Sequence, residues 1–170
     1  MLAVARTLLP RVGPMALTYS LLADQAQVTR QTLYRHWPSR EALLVDLVLS
    51  GPGTDYPQSD PDLHVVATAF LRSFRQGMED PATGAALMTL AAQADKDAES
   101  ERVLQLIAED RCRAFNQLLL APATPIAAGD FARLIGPVLF QRFIARQPVS
   151  DEFLESVVAN WRPQLQQPAD

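Results

Sequence analysis

The residues from Thr29 to His36, TRQTLYRH, form a run that is rich in hydrogen-bond donors and free of acidic side chains. At about 100° per residue, Leu33 and the following Trp37 fall on one side of a helix, while Gln31, Thr32 and Arg35 point to the other. Arg and Gln can make bidentate hydrogen bonds to base edges, and Thr offers a hydroxyl and a methyl group. A helix of this composition fits the major groove of double-stranded DNA.

Three further residues flank this polar face. Arg30 is a cation, and Tyr34 and His36 can reach phosphate oxygens at the rim of a groove. Polar residues of this kind, taken singly, more often belong to a solvated helix face, and their position in this run is what indicates DNA contact. The alternative for Tyr34 and His36 is a partly buried pair that braces the next helix. The residues that we predict to contact DNA are Thr18, Thr29, Arg30, Gln31, Thr32, Tyr34, Arg35, His36 and Arg40.

Two threonines mark the helices that must position this face. Thr18 and Thr29 each precede an apolar-periodic run, where a hydroxyl can accept from the unpaired amides of a first helical turn. A turn at Ala26-Gln27-Val28 separates the two runs. The stretch from Leu17 to His36 therefore predicts a helix-turn-helix, with Leu33 and Trp37 in the core behind it.

The run VTRQTLYRHWPSREALL resembles the DNA-binding signature of the tetracycline-repressor (TetR) family of bacterial regulators. The matching string comprises Leu33, Tyr34, Arg35, His36, Trp37, Ser39 and Arg40, and residues 11–18 resemble the loop that precedes it in the family. The resemblance covers the first third of the chain. It implies an all-α protein that binds a near-palindromic DNA operator as a homodimeric repressor, released by a small apolar effector.

The chain departs from the family pattern at two places. Gln27 stands where the family commonly has Gly, at a position that tends toward positive φ, and we expect a cost of about 1 kcal/mol there. In the family, a few basic residues and more of helix one usually precede the position that Met1 occupies here. Without the phosphate contacts of such an arm, we expect a lower affinity for DNA.

The chain of 170 residues is 48% hydrophobic and 20% charged, as in ordinary globular proteins. No apolar run approaches the roughly 20 residues that span a bilayer. The N-terminus carries Arg6 and no small-residue cleavage site, and a single Cys112 excludes an internal disulfide. We therefore expect a cytoplasmic protein without a membrane partner.

The net charge of −4 argues against a nucleic-acid partner, but its distribution does not. Residues 1–49 hold five Arg and three acidic residues, and the rest of the chain holds ten basic and sixteen acidic residues. A modestly basic head, residues 1–49, on an acidic body, the rest of the chain, concentrates the attraction for phosphate at one end.

Helical periodicity continues through the chain, with no strand-like alternation, so the predicted fold is all-α with about nine helices. A three-helix DNA-binding domain is predicted at 1–49, and a ligand-binding and dimerisation domain at 60–165, after a Gly- and Pro-rich loop. Predicted start signals are Ser39, Asp60-Pro61, Asp80-Pro81, Asp97, Asp130 and Ser150, and Pro10 and Gly13 are expected to stop the first helix.

The two last predicted helices are apolar over a broad face, which suits pairing with a second copy across a two-fold axis. The family resemblance also implies that this helix pair forms the dimer interface. The predicted interface residues are Phe131, Leu134, Ile135, Val138, Leu139, Arg142, Phe153, Val157 and Trp161.

A cavity for the effector is implied by the resemblance alone. Candidate lining residues are Phe70, Phe74, Met78, Met88, Cys112 and Phe115; the alternative is ordinary core, where aromatic and Met side chains at helical spacing more often pack. Cys112 lies between Arg111 and Arg113, where a lowered thiol pKa would make it a redox sensor; the alternative is a small buried hydrophobic residue.

No catalytic constellation is visible in the sequence. It has two distant His, one Cys, no phosphate-cradling Gly loop and no zinc-ligand spacing, so we expect neither an enzyme nor a cofactor or metal. The main alternative is an all-helical small-molecule-binding protein whose specific DNA binding is weak or lost. An enzyme would require a polar cleft with perturbed pKa values in the body.

Overall fold

A computed structural model describes residues 1–52, 56–120 and 124–163. Within these ranges the chain forms nine α-helices and one π-helical turn, with no strand, which confirms the predicted fold class. The helices are α1 (Leu2–Val12), α2 (Tyr19–Ala26), α3 (Arg30–His36), α4 (Arg40–Leu49), α5 (Leu63–Glu79), α6 (Pro81–Gln93), α7 (Ala98–Gln117), α8 (Ala128–Leu139) and α9 (Asp151–Asn160); the π-helical turn covers Phe140–Ile144.

The chain forms two compact units. Unit 1 contains Met1–Pro52 and Gly77–Ala108, and unit 2 contains Gly53–Gln76 and the chain from Glu109 onward. Unit 1 therefore groups α6 with α1 to α4. The predicted division by function, into a DNA-binding domain at 1–49 and a ligand-binding and dimerisation domain at 60–165, stays a prediction.

The core of unit 1 is built around α1, which contacts α2, α4 and α6. Leu9, Leu22, Leu33 and Leu47 are completely buried there. These leucines follow the apolar spacing of their helices, so local periodicity and tertiary packing agree. The helix that carries the predicted DNA-contacting face is thus anchored in the core through Leu33.

One polar network lies inside unit 1. Arg6 donates to the Asp80 carboxylate at 2.5 Å, to the Thr83 hydroxyl at 3.1 Å and to the Leu47 carbonyl at 2.8 Å. Asp80 also caps α6 by accepting from the Thr83 amide. A Cβ on Gly51 would lie 2.6 Å from the Thr83 hydroxyl, so this network needs a glycine beside it.

Asp80 is held in its charged form. Burial would raise the pKa of its carboxyl, but hydrogen bonds from Thr83 and the charge of Arg6 outweigh burial, so that pKa lies below its usual value. Arg6 and Asp80 have side-chain exposures of only 21% and 15%, so solvent screens their attraction weakly. The network ties α1, α6 and the end of α4 together.

Of the two residues predicted to stop the first helix, Gly13 does so and Pro10 does not, because α1 continues to Val12 with Pro10 inside its last turn. A proline there removes only the bond from its own nitrogen, and the helix end has few further bonds to lose. Gly13 ends the helix, as predicted. Its φ is 78°, and its amide donates to the Leu9 carbonyl.

The predicted start of α5 at Asp60-Pro61 was also wrong, since the helix begins at Leu63. The Asp62 carboxylate accepts from the His64 amide at 2.8 Å, and the Asp62 carbonyl accepts from Val66. Asp62 therefore supplies the cap that was assigned to Asp60. Asp60 itself accepts from the Asp62 amide, which stabilises the approach to the helix.

Asp130 was wrongly predicted as the cap of α8. Ala127 occupies the cap position, and Asp130 lies inside the first turn, 3% exposed, where Arg133 donates to its carboxylate at 2.5 Å. Past Pro137 the chain leaves α-helical geometry at Leu139 and continues as the π-helical turn. The cap positions of Ser39, Asp80 and Ser150 are confirmed.

The core of unit 2 is an aromatic cluster. Phe70 meets Phe115 edge to face with ring centroids 5.2 Å apart, and Phe131 lies 5.7 Å from both. Trp161 packs edge-on against Phe115, and its indole nitrogen donates to the Asp130 carbonyl at 2.8 Å. Such edge-to-face contacts favour a single arrangement of the rings.

None of the helices in the described part of the chain has the length and apolar content that crossing a membrane requires.

Candidate nucleic-acid interface

Both predicted threonine caps of the helix-turn-helix are present. The Thr18 hydroxyl accepts from the Leu21 amide at 3.2 Å, and the Thr29 hydroxyl accepts from the Thr32 amide at 3.1 Å. Both cap residues are in the extended conformation that precedes a helix. These bonds fix the start of α2 and of α3 from local sequence alone.

The turn between α2 and α3 has a left-handed residue at its centre. Gln27 has φ 54° and ψ 43°, as the resemblance led us to expect for this position. The Val28 amide reaches back to the Ala23 carbonyl at 3.0 Å, which closes the helix end in a Schellman motif. The Gln27 side chain compensates part of its backbone strain by donating to the Asp24 carbonyl at 2.8 Å.

Replacing Gln27 by Gly is expected to stabilise the protein by about 0.5 kcal/mol, because relief of the left-handed penalty exceeds the combined cost of the added unfolded-chain entropy and of losing the exposed bond to Asp24. Gln27→Ala is the matched control. It keeps the strain and loses the bond to Asp24, so it should be less stable than the wild type. Urea denaturation measures both, and equal losses in the two variants would contradict the strain argument.

Helix α3 exposes the predicted polar face. Arg30, Gln31 and Arg35 are exposed, while Leu33 is completely buried and Trp37 is 5% exposed. His36 and the cap Thr29 are exposed too, and Thr32 is half-buried. The core assignment of Leu33 and Trp37 is confirmed, and their burial leaves the opposite face open to solvent.

Tyr34 is 55% exposed and packs edge-on against Tyr19, with ring centroids 4.6 Å apart. Tyr19 was not singled out from the sequence. Its hydroxyl lies 2.7 Å from the carbonyl oxygens of Trp37 and Ser39, so it joins α2 to the loop between α3 and α4. Only its place in the first turn of α2, beside the cap, could have signalled this role.

Burial raises the pKa of Tyr19 to about 12, with smaller contributions from Tyr34 and Glu41. The folded pKa exceeds the unfolded value of about 10, so the Tyr19 hydroxyl stabilises fully below pH 10 and loses this contribution as pH rises toward 12. Tyr19→Phe should cost about 1 kcal/mol at pH 7. The difference from the wild type in urea denaturation should shrink above pH 10, and a difference that stays constant would contradict this.

Two arginines of the predicted basic head are used inside the protein. Arg6 belongs to the network with Asp80, and Arg40 donates to the Pro14 carbonyl, joining the loop before α2 to α4. Arg11, Arg30 and Arg35 are the exposed arginines of residues 1–49. The positive surface of the head is therefore smaller than the charge count suggested.

The residues predicted to line a pocket do not form one set. Phe70 and Phe115 interlock in the aromatic cluster of unit 2, whereas Met78 and Met88 belong to unit 1, and Met88 is 36% exposed. An open groove of about 190 Å³ in unit 2 is lined by other residues, namely Asp60, Pro61, Leu63, Leu119, Leu120, Thr124 and Ile126. Effector binding by the predicted set stays a prediction.

The proposed redox role of Cys112 is not supported by its surroundings. Burial raises the pKa of its thiol, contrary to the lowered pKa that a sensor needs. The amide of Asn116 lies 3.7 Å from the sulfur and also bonds to the Ile126 carbonyl. Cys112 is a half-buried core residue, which is the alternative considered from the sequence.

Four of the nine predicted dimer residues are in the protein's own core: Phe131, Leu134, Val138 and Trp161 are at most 4% exposed. These four residues are therefore removed from the predicted interface, because a buried side chain offers no surface to a partner. Ile135, Leu139, Arg142, Phe153 and Val157 are half-buried. Two residues that were missed, Phe140 and Ile144, are 60% and 66% exposed.

No group of three or more His, Cys, Asp or Glu residues that could hold a metal ion occurs within residues 1–52, 56–120 and 124–163.

The chain was compared with known proteins. Residues 1–47 match the family model described as bacterial regulatory proteins, tetR family. Five solved chains match, among them the crystal structure of the TetR family transcription regulator SCO0332, with 25% identity, a TM-score of 0.63 and coverage of 94% of this chain and 92% of that one. The comparison with curated proteins finds no match.

The family match falls on the residues whose geometry is described above. It spans α1 to α3 and most of α4, and the structural likeness extends the relationship over nearly the whole chain. The capped helix-turn-helix, with its buried Leu33 and exposed polar face, provides the physical basis for that match. Residues 1–47 thus match the TetR family of bacterial regulatory proteins, and the chain has the fold of a TetR family transcription regulator.

Proposed function

We propose that the protein is a sequence-specific repressor that binds a near-palindromic operator as a homodimer. One observation carries this proposal: α3 exposes Gln31 and Arg35 while Leu33 holds the helix from behind. Two copies of α3 enter successive major grooves about one helical turn apart. The protein acts in the cytoplasm as a binding protein and catalyses no reaction.

The homodimer is supported by an exposed apolar surface. Phe140 and Ile144 lie four residues apart in the π-helical turn and are each more than half exposed. Ile135, Leu139 and Val157 add half-buried apolar area on α8 and α9. Exposed aromatic and aliphatic groups of this kind mark interaction sites, and we assign this surface, called the α8–α9 surface below, to a second copy of the chain.

We further propose that a small apolar effector releases the operator. The effector shifts the dimer toward a state in which the two α3 helices no longer match successive grooves, which requires a higher affinity for that state. Couplings of this kind are typically about 1–3 kcal/mol. The aromatic and apolar core of unit 2 has the composition that such an effector requires.

A second function is favoured by one observation. Because Arg6 and Arg40 are engaged inside the protein, residues 1–49 expose fewer cations than their sequence contains. A helical small-molecule-binding protein with weak or lost operator recognition would have such a surface. The two functions differ in their affinity for specific DNA.

Titration of labelled genomic fragments at several salt concentrations separates the two functions. The repressor predicts sub-micromolar binding to particular fragments, with an affinity that falls steeply as salt rises. A Gln31→Ala, Arg35→Ala double variant, changed only at exposed positions, is the matched control and should bind all fragments alike. Equal weak binding of wild type and control to every fragment would support the second function.

A further inference from the structure

Gln31 and Arg35 occupy the outermost line of α3. If the direction of Leu33 around the helix axis is set to 0° and each residue turns the helix by about 100°, Gln31 and Arg35 lie about 160° away on either side. They are therefore opposite the side chain that contacts the core. Arg30 and Tyr34 lie on one flank of this line, and Thr32 and His36 lie on the other. When α3 enters a groove with Leu33 behind it, Gln31 and Arg35 are the side chains that reach deepest.

Both side chains are available to a ligand. Among the described residues, neither Gln31 nor Arg35 has a side-chain hydrogen bond or ion pair, and both are exposed. The Thr32 hydroxyl, in contrast, lies 2.9 Å from the Thr29 hydroxyl and is held in the cap of the same helix. Tyr34 packs on Tyr19, which directs it toward the flank. The flanking residues therefore suit the sugar–phosphate backbone.

The chemistry of these two groups selects bases. A guanidinium donates two parallel hydrogen bonds, which matches the O6 and N7 acceptors of guanine. A carboxamide places an N–H donor beside a carbonyl acceptor, so it can donate to N7 of adenine and accept from the N6 amino group. Four residues of helix rise about 6 Å, close to two base-pair steps of 3.4 Å.

We propose that each operator half-site contains a guanine read by Arg35 and an adenine read by Gln31, about two base pairs apart. This assignment rests on the proposed function, since it specifies the operator that the repressor would bind. Arg30 and Tyr34 contact phosphates, so they contribute affinity that is the same for every sequence.

Selection from a library of random double-stranded DNA tests the assignment with the full-length protein. The wild type should enrich a two-fold symmetric motif with a G·C pair and an A·T pair two steps apart in each half. Arg35→Ala should lose preference at the guanine only, and Gln31→Ala at the adenine only, each by roughly 5- to 150-fold. The control Arg30→Ala should weaken binding without changing the motif.

The outcomes distinguish the two levels of the proposal. The base assignment would be overturned if both alanine variants still selected the wild-type motif, or if Arg35→Ala changed the preference at a base other than guanine. Either result would leave the proposed repressor function standing. No enriched motif for a wild-type protein with native helix content would overturn the repressor function itself. Circular dichroism of each variant verifies folding, which exposed substitutions leave unchanged.

Discussion

Replacing Arg6 by Met is expected to lower the free energy of unfolding by about 3 kcal/mol, within the range for breaking a largely buried ion pair. The variant removes three donated hydrogen bonds and leaves Asp80 charged and 15% exposed in its side chain. Met retains most of the apolar part of the Arg6 side chain, so the loss of stability comes from removing the guanidinium group. Urea denaturation at pH 7 measures the change.

The pH dependence identifies Asp80 as the partner. The pKa of Asp80 is lowered in the folded protein, so the stability that its charge contributes is present above the unfolded value of about 4 and is lost as pH falls below it. The gap between wild type and Arg6→Met should therefore narrow below about pH 4.

Asp80→Asn is the matched control for the ion pair, because an amide oxygen can still cap α6 by accepting from the Thr83 amide. In a double-mutant cycle, Arg6→Met should cost much less in the Asp80→Asn background than in the wild type. Additive losses, or a gap that does not change with pH, would show that Arg6 stabilises through packing alone.

Ile144→Asp is expected to dissociate the proposed homodimer. A two-fold interface contains each substitution twice, so a cost of at least about 1.5 kcal/mol per buried carboxylate amounts to at least about 3 kcal/mol, or a dissociation constant raised at least about 150-fold. Ile144 is 66% exposed in the chain, so the same change should leave the fold of the monomer intact. Light scattering over a concentration series measures the dissociation constant.

Leu106→Asp makes the same chemical change at a 43% exposed position on α7 and is the control for charge and solubility. It should leave the dimer unchanged. If Ile144→Asp and Leu106→Asp behave alike, the α8–α9 surface is not the interface. A monomeric Ile144→Asp protein that retains native helix content should lose affinity for a complete operator much more than for a single half-site.

Local sequence signals predicted most of the helix starts. Thr18, Thr29, Ser39 and Ser150 each accept from an amide three residues later, and a cap of this kind depends only on neighbouring residues. The same holds for the exposed and buried faces of α3, because helical periodicity alone separates Leu33 from Gln31 and Arg35. The resemblance to the TetR family, which the match of residues 1–47 confirms, could be recognised from the sequence because its motif residues also lie close together in the chain.

Errors arose where two local signals competed or where the partner was distant. Pro10 reads as a helix stop, yet the Gly13 amide closes α1 three residues later. Asp130 reads as a cap, yet its carbonyl accepts from Trp161, more than thirty positions away, and the residue lies inside the first turn. A broad apolar face on α8 reads as an interface, yet most of it covers the aromatic cluster of unit 2.

The amino-acid sequence by itself determined the helical class, the helix-turn-helix and the face that α3 presents, because each depends on contacts between residues a few positions apart. Only the tertiary structure decided which charges and apolar groups remain on the surface. Arg6 is engaged by Asp80, 74 positions along the chain, whereas Phe140 and Ile144 stay exposed. Burial depends on long-range packing, which periodicity does not encode.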